Sequence, residues 1–294
     1  MASRVASAAR APVAPPAPRW TRIRRADPQA AAVTAMFRFR AATPSREPPP
    51  ALIERLRRAQ SVVALTGAGV SSESGVPTFR DALTGLWANY DPRKLATPGG
   101  FARDPKLVWD WYAERRERIG QIRPNPGHFA LVEIERRVPD FLLVTQNIDG
   151  LHAKAGTTRL VELHGNIGRV KCSLEHTVVQ RWDDPLDDLP PRCPNCGSFL
   201  RPDVVWFEEM LPAEALAAAE DAAAQCELLL VVGTSAEVYP AAALPLHAKQ
   251  AGATIVEVNP ETTPLSDHAD FVLRAAAGAA LPALVAAAWP ESSR

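Results

Sequence analysis

The sequence predicts an α/β fold: a doubly wound parallel sheet with a smaller inserted domain. Short apolar runs alternate with helical patterns along much of the chain, which is typical of a parallel sheet covered by helices on both faces. Polar motifs directly follow four of these runs, and ligands bind at the carboxyl ends of the strands in such sheets. Residues 80–130 and 166–205 interrupt the alternation, and we expect both insertions to form the smaller domain.

The first helix and strand lead into a glycine-rich segment. Leu52, Ile53 and Leu56 share one face of a predicted helix, and the apolar run at residues 61–65 predicts a buried strand. Residues 67–81, GAGVSSESGVPTFRD, follow at once. Such a turn lets a phosphate approach the backbone, and the N-terminus of a following helix offers free N–H groups. A serine replaces the third glycine of the usual dinucleotide fingerprint, so a turn without a ligand stays an alternative.

The remaining elements follow in chain order. Apolar runs predict strands at residues 141–144, 227–232, 254–258 and 271–273. Alanine-rich segments predict helices at residues 213–224 and 279–288. Polar segments follow three of the strands, at residues 145–152, 233–235 and 259–261. Because the carboxyl ends of parallel strands meet at one edge of a sheet, we expect these segments and the glycine-rich one to line a shared ligand crevice.

Charge and composition exclude several classes of protein. The 294 residues carry 33 basic and 33 acidic side chains, and no apolar run has the length of a membrane span. We therefore expect neither a nucleic-acid nor a membrane partner, and a monomer. Three of the four cysteines, Cys172, Cys193 and Cys196, cluster with metal-like spacing. That spacing favours a metal site and a reducing compartment over a disulfide framework, and the cytoplasm is the expected location.

Residues 1–46 differ from the folded domain predicted at 47–290. They contain nine arginines, one acidic residue and many alanines and prolines. Such a segment buries little apolar surface, so we expect a disordered extension. The same composition is typical of an organellar transit peptide, which would place the protein in mitochondria, and a start at Met36 is a further alternative.

Five segments, in order along the chain, resemble motifs of the sirtuins, the NAD-dependent protein-lysine deacylases. Residues 67–81 resemble the cofactor loop, residues 145–152 (TQNIDGLH) the nicotinamide pocket, and residues 163–165 (LHG) the segment with the catalytic histidine. Residues 233–235 and 259–261 resemble later NAD-contacting segments. The resemblance implies a Rossmann-like sheet with a helical insertion and a zinc-ribbon-like lobe. It also implies NAD as co-substrate and acylated lysine side chains of proteins as substrate.

The resemblance implies roles for individual residues. In the family, the acyl-lysine oxygen attacks the anomeric carbon of the nicotinamide ribose, nicotinamide leaves and an imidate forms. His164 would act as general base on a ribose hydroxyl, with Asn147 as a second catalytic residue. His152 is interpreted as structural, and His128 has no comparable context. NAD contacts are implied at Gly67, Ala68, Gly69, Ser71, Phe79, Arg80, Gln146, Asn147, Ile148, Asp149, Gly233, Thr234, Ser235, Asn259, Glu261 and Ala277.

A Tyr-x-x-Arg pattern indicates the acyl group. Tyr112 and Arg115 resemble the pair with which class III sirtuins bind acidic acyl groups, and residues three apart share a helix face. Arg115 would grip a succinyl or malonyl carboxylate, Tyr112 would add a hydroxyl, and Ala96 would leave room in the pocket. We expect removal of these acidic groups with some deacetylation. An ordinary salt-bridged helix is the alternative, since residues 114–118 read ERRER.

Residues 201–209, RPDVVWFEE, resemble the family loop that pairs with the substrate peptide. An extended peptide that adds a strand gains affinity from backbone hydrogen bonds and needs little sequence specificity. Val205 and Phe207 are the implied peptide contacts. The alternative is that both side chains are buried in the core.

The metal site departs from the family pattern of two Cys-x-x-Cys pairs. Cys193 and Cys196 form an intact pair, whereas the first pair keeps only Cys172. Three thiolates with His176 would make an acceptable tetrahedral zinc site. Glu175 occupies the family's ligand position and would offer an oxygen instead. Loss of zinc, with the lobe held by packing, is a third alternative.

Two rival functions use the same cofactor site. A protein ADP-ribosyltransferase would direct another nucleophile to NAD, and a non-catalytic NAD-binding protein would need no base. Asn147, Asp149 and His164 are all present, which favours a deacylase. An ordinary dehydrogenase is disfavoured, because no acidic residue follows a second strand about twenty residues after the glycines.

Overall fold

The computed structural model describes residues 43–77, 91–182 and 190–290. Almost all of the predicted extension at 1–46 lies outside the described residues, as do Phe79 and Arg80. The described strands are β1 (Ser61–Thr66), β2 (Asp140–Thr145), β3 (Leu160–Glu162), β4 (Gly165–Cys172), β5 (Val178–Val179), β6 (Leu200–Val204), β7 (Leu228–Val232), β8 (Thr254–Val258) and β9 (Phe271–Leu273). The described α-helices are α1 (Pro50–Arg58), α2 (Pro92–Leu95), α3 (Pro98–Arg103), α4 (Pro105–Gln121), α5 (Pro126–Arg137), α6 (Leu151–Ala155), α7 (Ala213–Gln225), α8 (Leu244–Gln250) and α9 (Ala277–Ala288). None of these helices combines the length and the apolarity that crossing a bilayer requires.

Six parallel strands form the central sheet, in the order β3-β2-β1-β7-β8-β9. Strands β2 and β3 follow one another on one side of β1. Strands β7, β8 and β9 follow one another on its other side. This reversal of the strand order makes the sheet doubly wound and places a ligand crevice beside β1. β3 was not predicted, because three residues that end in Glu162 give no apolar run to detect.

Helices cover both faces of the sheet, as the alternating pattern predicts. On one face α1, α5 and α9 bury residues such as Leu56, Leu131 and Leu281 against the strands. On the other face α7 and α8 bury small residues, among them Ala219 and Ala248. Helix α5 begins at Pro126, inside the helical insertion predicted at 80–130, but it packs on the central sheet and belongs to the main domain.

The smaller domain combines helices α2 to α4 with a three-stranded antiparallel sheet in the order β5-β4-β6. Residues of helix α4 pack against this sheet in two separate apolar clusters. Trp111 and Tyr112 lie in one apolar cluster with Trp206, whereas Trp109 packs with Cys172 and Leu200 in another. Helix α4 thus joins the cysteine lobe to the loop that follows β6.

Candidate active site

The polar segments predicted to share a crevice lie side by side at one edge of the central sheet. Thr66 pairs in register with Thr145 and with Val232, and Val232 pairs with Val258. Each of these four residues ends its strand. The segments that follow therefore leave the sheet at the same level and form one site.

Glycines let the backbones of two of these segments touch. The Gly67 N–H donates to the Val232 carbonyl at 3.0 Å, and the Gly69 N–H donates to the Gly233 carbonyl at 2.7 Å. A Cβ atom at Gly69 would lie 2.8 Å from the Gly233 Cα, closer than any side chain allows. Gly233 itself has a φ of 59°. The helix predicted behind the glycine turn is a 3₁₀ helix, Ala68–Ser74.

A network of short polar side chains lines the crevice. The Asn147 amide donates to the Gly67 carbonyl at 3.1 Å and to the Ser71 hydroxyl at 3.2 Å. Ser71 in turn donates to Asp149 at 2.7 Å. Burial raises the pKa of the Asp149 carboxyl, although the hydrogen bonds that it accepts oppose this effect. The Gln146 amide donates to the Thr234 hydroxyl at 3.1 Å, which joins the second segment to the third.

One ring nitrogen of His164 has no hydrogen-bond partner in the part of the chain that the structure describes. Its Nδ1 lies 2.7 Å from the Gln146 carbonyl oxygen. A carbonyl oxygen only accepts hydrogen bonds, so Nδ1 carries the proton and Nε2 is unprotonated in the neutral ring. Burial lowers the pKa of His164, against the opposing effect of the hydrogen bond to Gln146. The ring is therefore neutral at physiological pH, with Nε2 able to take up a proton.

Two buried histidines, His128 and His152, lie next to this network. The sequence pattern did not predict their contacts with each other or with Ser71. The rings of His128 and His152 lie 4.8 Å apart, and both are at least 98% buried. The Asn125 N–H donates to His128 Nδ1, so His128 Nε2 is the protonated nitrogen and faces the Ser71 hydroxyl at 3.4 Å. The only sequence signal for His128 is its place three residues after Asn125, as part of the capping box of α5.

The three clustered cysteines lie together with a carboxylate. Ligand atoms of Cys172, Cys193, Cys196 and Glu175 all lie within 4.8 Å of one another. Thiolates with one carboxylate oxygen fit Zn²⁺, which accepts both ligand types in a tetrahedral set. The structure corrects the prediction of His176 as the fourth ligand, because that residue is not part of this group. The tight turn after Cys172 explains the difference: the Glu175 N–H donates to the Cys172 sulfur at 3.4 Å, while the exposed His176 adopts a left-handed φ of 57°.

Two of the three residues predicted to bind the acyl group, Ala96 and Tyr112, lie in one apolar cluster of the smaller domain. Ala96, Tyr112 and Trp206 are buried together, and the Phe207 N–H donates to the Ala96 carbonyl at 3.0 Å. The Trp206 indole N–H donates to the Tyr112 hydroxyl at 3.0 Å. Phe207 is 51% exposed, so the peptide loop is not simply a core segment.

Arg115 is a half-buried cation without a counter-ion among the described residues. Its guanidinium lies 4.5 Å from the centre of the Trp111 ring, and its Nε is buried without a hydrogen-bond partner. Burial lowers the pKa of Arg115, although arginine remains charged at any physiological pH. The salt-bridged helix considered as an alternative is present one turn away, where Arg118 pairs with Glu114.

Comparison with known proteins decides the family. The sequence profile of the Sir2 family matches residues 67–240. The chain belongs to the Sir2 family. An NAD-dependent protein deacylase of Ralstonia nicotianae is 50% identical to it over an alignment of 238 residues, and the match covers 79% of this chain and 93% of the relative.

Solved structures agree with this assignment. The complex of a Sir2 homologue with NAD aligns with a TM-score of 0.77 and 43% identity, and the alignment covers 84% of the present Sir2-family chain and 96% of the neighbour. A complex of a Sir2 protein with a p53 peptide and NAD⁺ aligns with a TM-score of 0.68 and 32% identity, covering 78% and 93% of the two chains. The predicted sirtuin resemblance and α/β fold are thereby confirmed.

Most of the residues implied by the resemblance lie at the crevice of this Sir2-family chain. The glycine turn, the 146–149 segment and the 233–235 segment are joined by direct hydrogen bonds, and the Asn259 amide donates to the Thr234 carbonyl at 3.0 Å. Ala277 begins α9, where the N–H of Gly278 donates to Glu73 of the 3₁₀ helix at 2.6 Å. Phe79 and Arg80 lie outside the described residues.

The buried histidine pair predicts a loss of stability in acid. Burial lowers the pKa of His128 to about 4 and that of His152 to about 3. Below the unfolded value near 6.5, the unfolded chain binds protons that the folded chain does not. The stability contributed by the neutral rings is complete above that value and is lost as the pH falls toward the folded values. Urea unfolding should therefore give a free energy lower by about 2 kcal/mol or more at about pH 5 than at about pH 7.5.

Two variants test the origin of this acid sensitivity. His128→Gln should flatten the pH dependence of the unfolding free energy, because it removes one titrating ring. His247→Gln, at an exposed site on α8, serves as the matched control and should leave that dependence unchanged. An equally steep dependence in His128→Gln and in the wild type would contradict the prediction.

The geometry of the cysteine cluster predicts that Glu175, and not His176, is the fourth zinc ligand. We expect one zinc per purified chain, measured by inductively coupled plasma mass spectrometry. Glu175→Ala should release zinc to a competing chelator at a concentration lower by about 10-fold or more, because it removes a ligand. His176→Ala, the adjacent control, should match the wild type. Zinc loss in His176→Ala with full retention in Glu175→Ala would reverse the assignment.

Proposed function

We propose that this chain removes acidic acyl groups, succinyl and malonyl in preference to acetyl, from lysine side chains of proteins. As a Sir2-family member with deacylase relatives of about 50% identity, the chain is an NAD-dependent protein deacylase. The acyl preference is the finer part of the proposal. It rests on one observation: the buried, unpartnered Nε of Arg115, three residues from a tyrosine hydroxyl on the same helix.

The proposed chemistry uses the crevice at the strand ends. NAD, when bound, supplies the ribose carbon that takes the acyl oxygen as nicotinamide leaves. Asn147 and Asp149 offer hydrogen-bonding groups of the kind that hold a carboxamide and ribose hydroxyls. Unprotonated Nε2 of His164 would take the proton of a ribose hydroxyl and later return it, which is the work of a general base near its working pH.

The charge of Arg115 favours an acidic acyl end. A guanidinium held partly out of water gains more from a carboxylate than from an uncharged group, because the hydrogen bond is charge-assisted. A methyl group, as in acetyl-lysine, leaves the same donor without a partner. Sites that hydrogen-bond their substrate discriminate strongly against analogues that lack the acceptor. Ala96, whose side chain is a single methyl group, is buried in the same apolar cluster as Tyr112 and would leave room for the acyl chain.

The peptide would bind along the loop after β6. Val205 and Phe207 are part of this loop. The Val205 N–H donates to the backbone carbonyl of His164 at 2.9 Å. The substrate loop and the proposed base are therefore joined by one hydrogen bond. A peptide strand added beside this loop would place its acyl-lysine near the base without a need for particular flanking side chains.

The proposal is tested with one lysine peptide in three forms: acetylated, succinylated and carrying the uncharged amide of the succinyl group. The amide form has the size of succinyl without its charge. With NAD present, kcat/KM should be highest for succinyl-lysine, by about 10-fold or more over both others, given one charge-assisted contact. Equal or faster removal of acetyl would overturn the acidic-acyl preference while leaving the deacylase assignment.

A further inference from the structure

We infer that Trp206 determines acyl specificity by directing the hydroxyl hydrogen of Tyr112 toward the carboxylate of the substrate. The inference rests on the proposed function, since it names a residue that acts through the acyl-binding tyrosine. Trp206 would be a positioning residue, because its indole reaches the substrate only through that hydroxyl.

A buried hydrogen bond joins the side chains of Trp206 and Tyr112. The Trp206 indole N–H donates to the Tyr112 oxygen at 3.0 Å, and the two residues are only 3% and 4% exposed. The hydrogen of a phenol lies close to the ring plane, in one of two positions on opposite sides of the oxygen. A donor that occupies one side of the oxygen directs the hydroxyl hydrogen to the other side. Burial raises the pKa of Tyr112 to about 12, so the hydroxyl keeps that hydrogen.

Glu209 and Arg201 hold Trp206 in place. The backbone N–H of Trp206 donates to the Glu209 carboxylate at 2.8 Å. The Arg201 guanidinium lies 3.3 Å from the centre of the indole ring and forms two hydrogen bonds with the same carboxylate, at 2.5 and 2.9 Å. Arg201 is 2% exposed. The indole is thus fixed at its backbone and on its face, and a fixed donor orients its acceptor.

The hydrogen of the Tyr112 hydroxyl remains available to a ligand. The Tyr112 hydroxyl donates to no described residue, and the Nε–H of Arg115 also lacks an acceptor. The two donors lie three positions apart on α4, on one helix face. Two donors on one helix face, one of them cationic, match a ligand with two acceptor oxygens and a negative charge. The carboxylate at the end of a succinyl or malonyl group has this chemistry, and an acetyl group does not.

Removing only the indole N–H tests the inference. Trp206→Phe keeps an aromatic ring and frees the Tyr112 hydroxyl to rotate away from the substrate. The ratio of kcat/KM for succinyl- over acetyl-lysine peptide should fall by about 5- to 20-fold, a part of what a charged hydrogen bond contributes. Tyr112→Phe should lower the ratio at least as far. In the Tyr112→Phe background, adding Trp206→Phe should change the ratio by less than about 2-fold, because the hydroxyl on which it acts is gone.

A second replacement guards against misfolding. Incorporation of benzothienylalanine at Trp206 exchanges the N–H for a sulfur in a ring of nearly the same shape, and it should reproduce the fall in the ratio. A wild-type preference for succinyl that survives both replacements, or losses that add in the double variant, would overturn the inference alone. A wild type with no preference for acidic acyl groups would overturn the proposed function, and this inference with it.

Discussion

Replacing His164 with alanine is expected to abolish NAD-dependent acyl removal while leaving the fold intact. Within the described ranges the side chain makes one hydrogen bond, from Nδ1 to the Gln146 carbonyl, so its loss disturbs little structure. The backbone carbonyl that accepts the Val205 N–H is retained in the variant. Loss of a general base lowers the rate by about 10²- to 10⁴-fold. The measurement is kcat/KM on a succinylated peptide, with NAD binding followed by calorimetry.

The control for this variant is His247→Ala, at an exposed position on α8 outside the crevice motifs. It should retain full activity. NAD binding that survives in His164→Ala together with lost turnover would assign the residue to chemistry. Turnover of His164→Ala within a few-fold of the wild type would remove the proposed base.

The pH dependence of the reaction follows from the same histidine. Catalysis requires unprotonated Nε2, so activity is present above the pKa of the folded ring and is lost as the pH falls through it. Burial lowers that pKa below its ordinary value near 6.5. As the pH is lowered, kcat/KM should therefore decrease only below about pH 6.5. The residual activity of His164→Ala should not show this decrease.

Replacing Arg115 with glutamine is expected to remove the acidic-acyl preference without removing the enzyme's acyl-transfer activity. The buried Nε of Arg115 has no hydrogen-bond partner among the described residues, and no described carboxylate pairs with its charge. Hydrogen bonds to charged groups contribute about 1.5–3 kcal/mol, or roughly 10- to 150-fold in kcat/KM. The succinyl reaction should lose that factor, while the acetyl reaction should change by less than about 3-fold, since it makes no such contact.

Arg118→Gln is the matched control for the acyl prediction. It lies on the same helix, carries the same charge, and forms an exposed ion pair with Glu114. Exposed pairs of this kind contribute little to stability, so the variant should resemble the wild type in both reactions. An equal loss in Arg115→Gln and Arg118→Gln would show that the general charge of the helix, and not a specific contact, produces the preference.

The strands and their polar ends could be predicted from the sequence because each depends on local pattern. The run at residues 61–65 became β1, Ser61–Thr66, and the motif after it lies where ligands bind in such sheets. The crevice could be inferred for the same reason: parallel strands bring their carboxyl ends to one edge. Neither inference required contacts between distant side chains.

Other features depend on tertiary contacts or on single backbone angles. His128 contacts Ser71, which is 57 positions away in the sequence, and no local sequence pattern predicts that contact. The choice between Glu175 and His176, which are adjacent in the sequence, depends on how one turn is closed. The role inferred for Trp206 depends on a 3.0 Å contact with a helix 94 positions away. Spacing rules do not encode such distances.

Mass spectrometry of a single turnover decides whether this chain transfers acidic acyl groups to NAD. The enzyme is mixed in excess with a succinyl-lysine peptide and NAD, and all products are quantified. We predict nicotinamide, unmodified peptide and succinyl-ADP-ribose in equal amounts. Free succinate with NAD left intact, or a peptide that carries ADP-ribose and keeps its succinyl group, would contradict the proposed reaction.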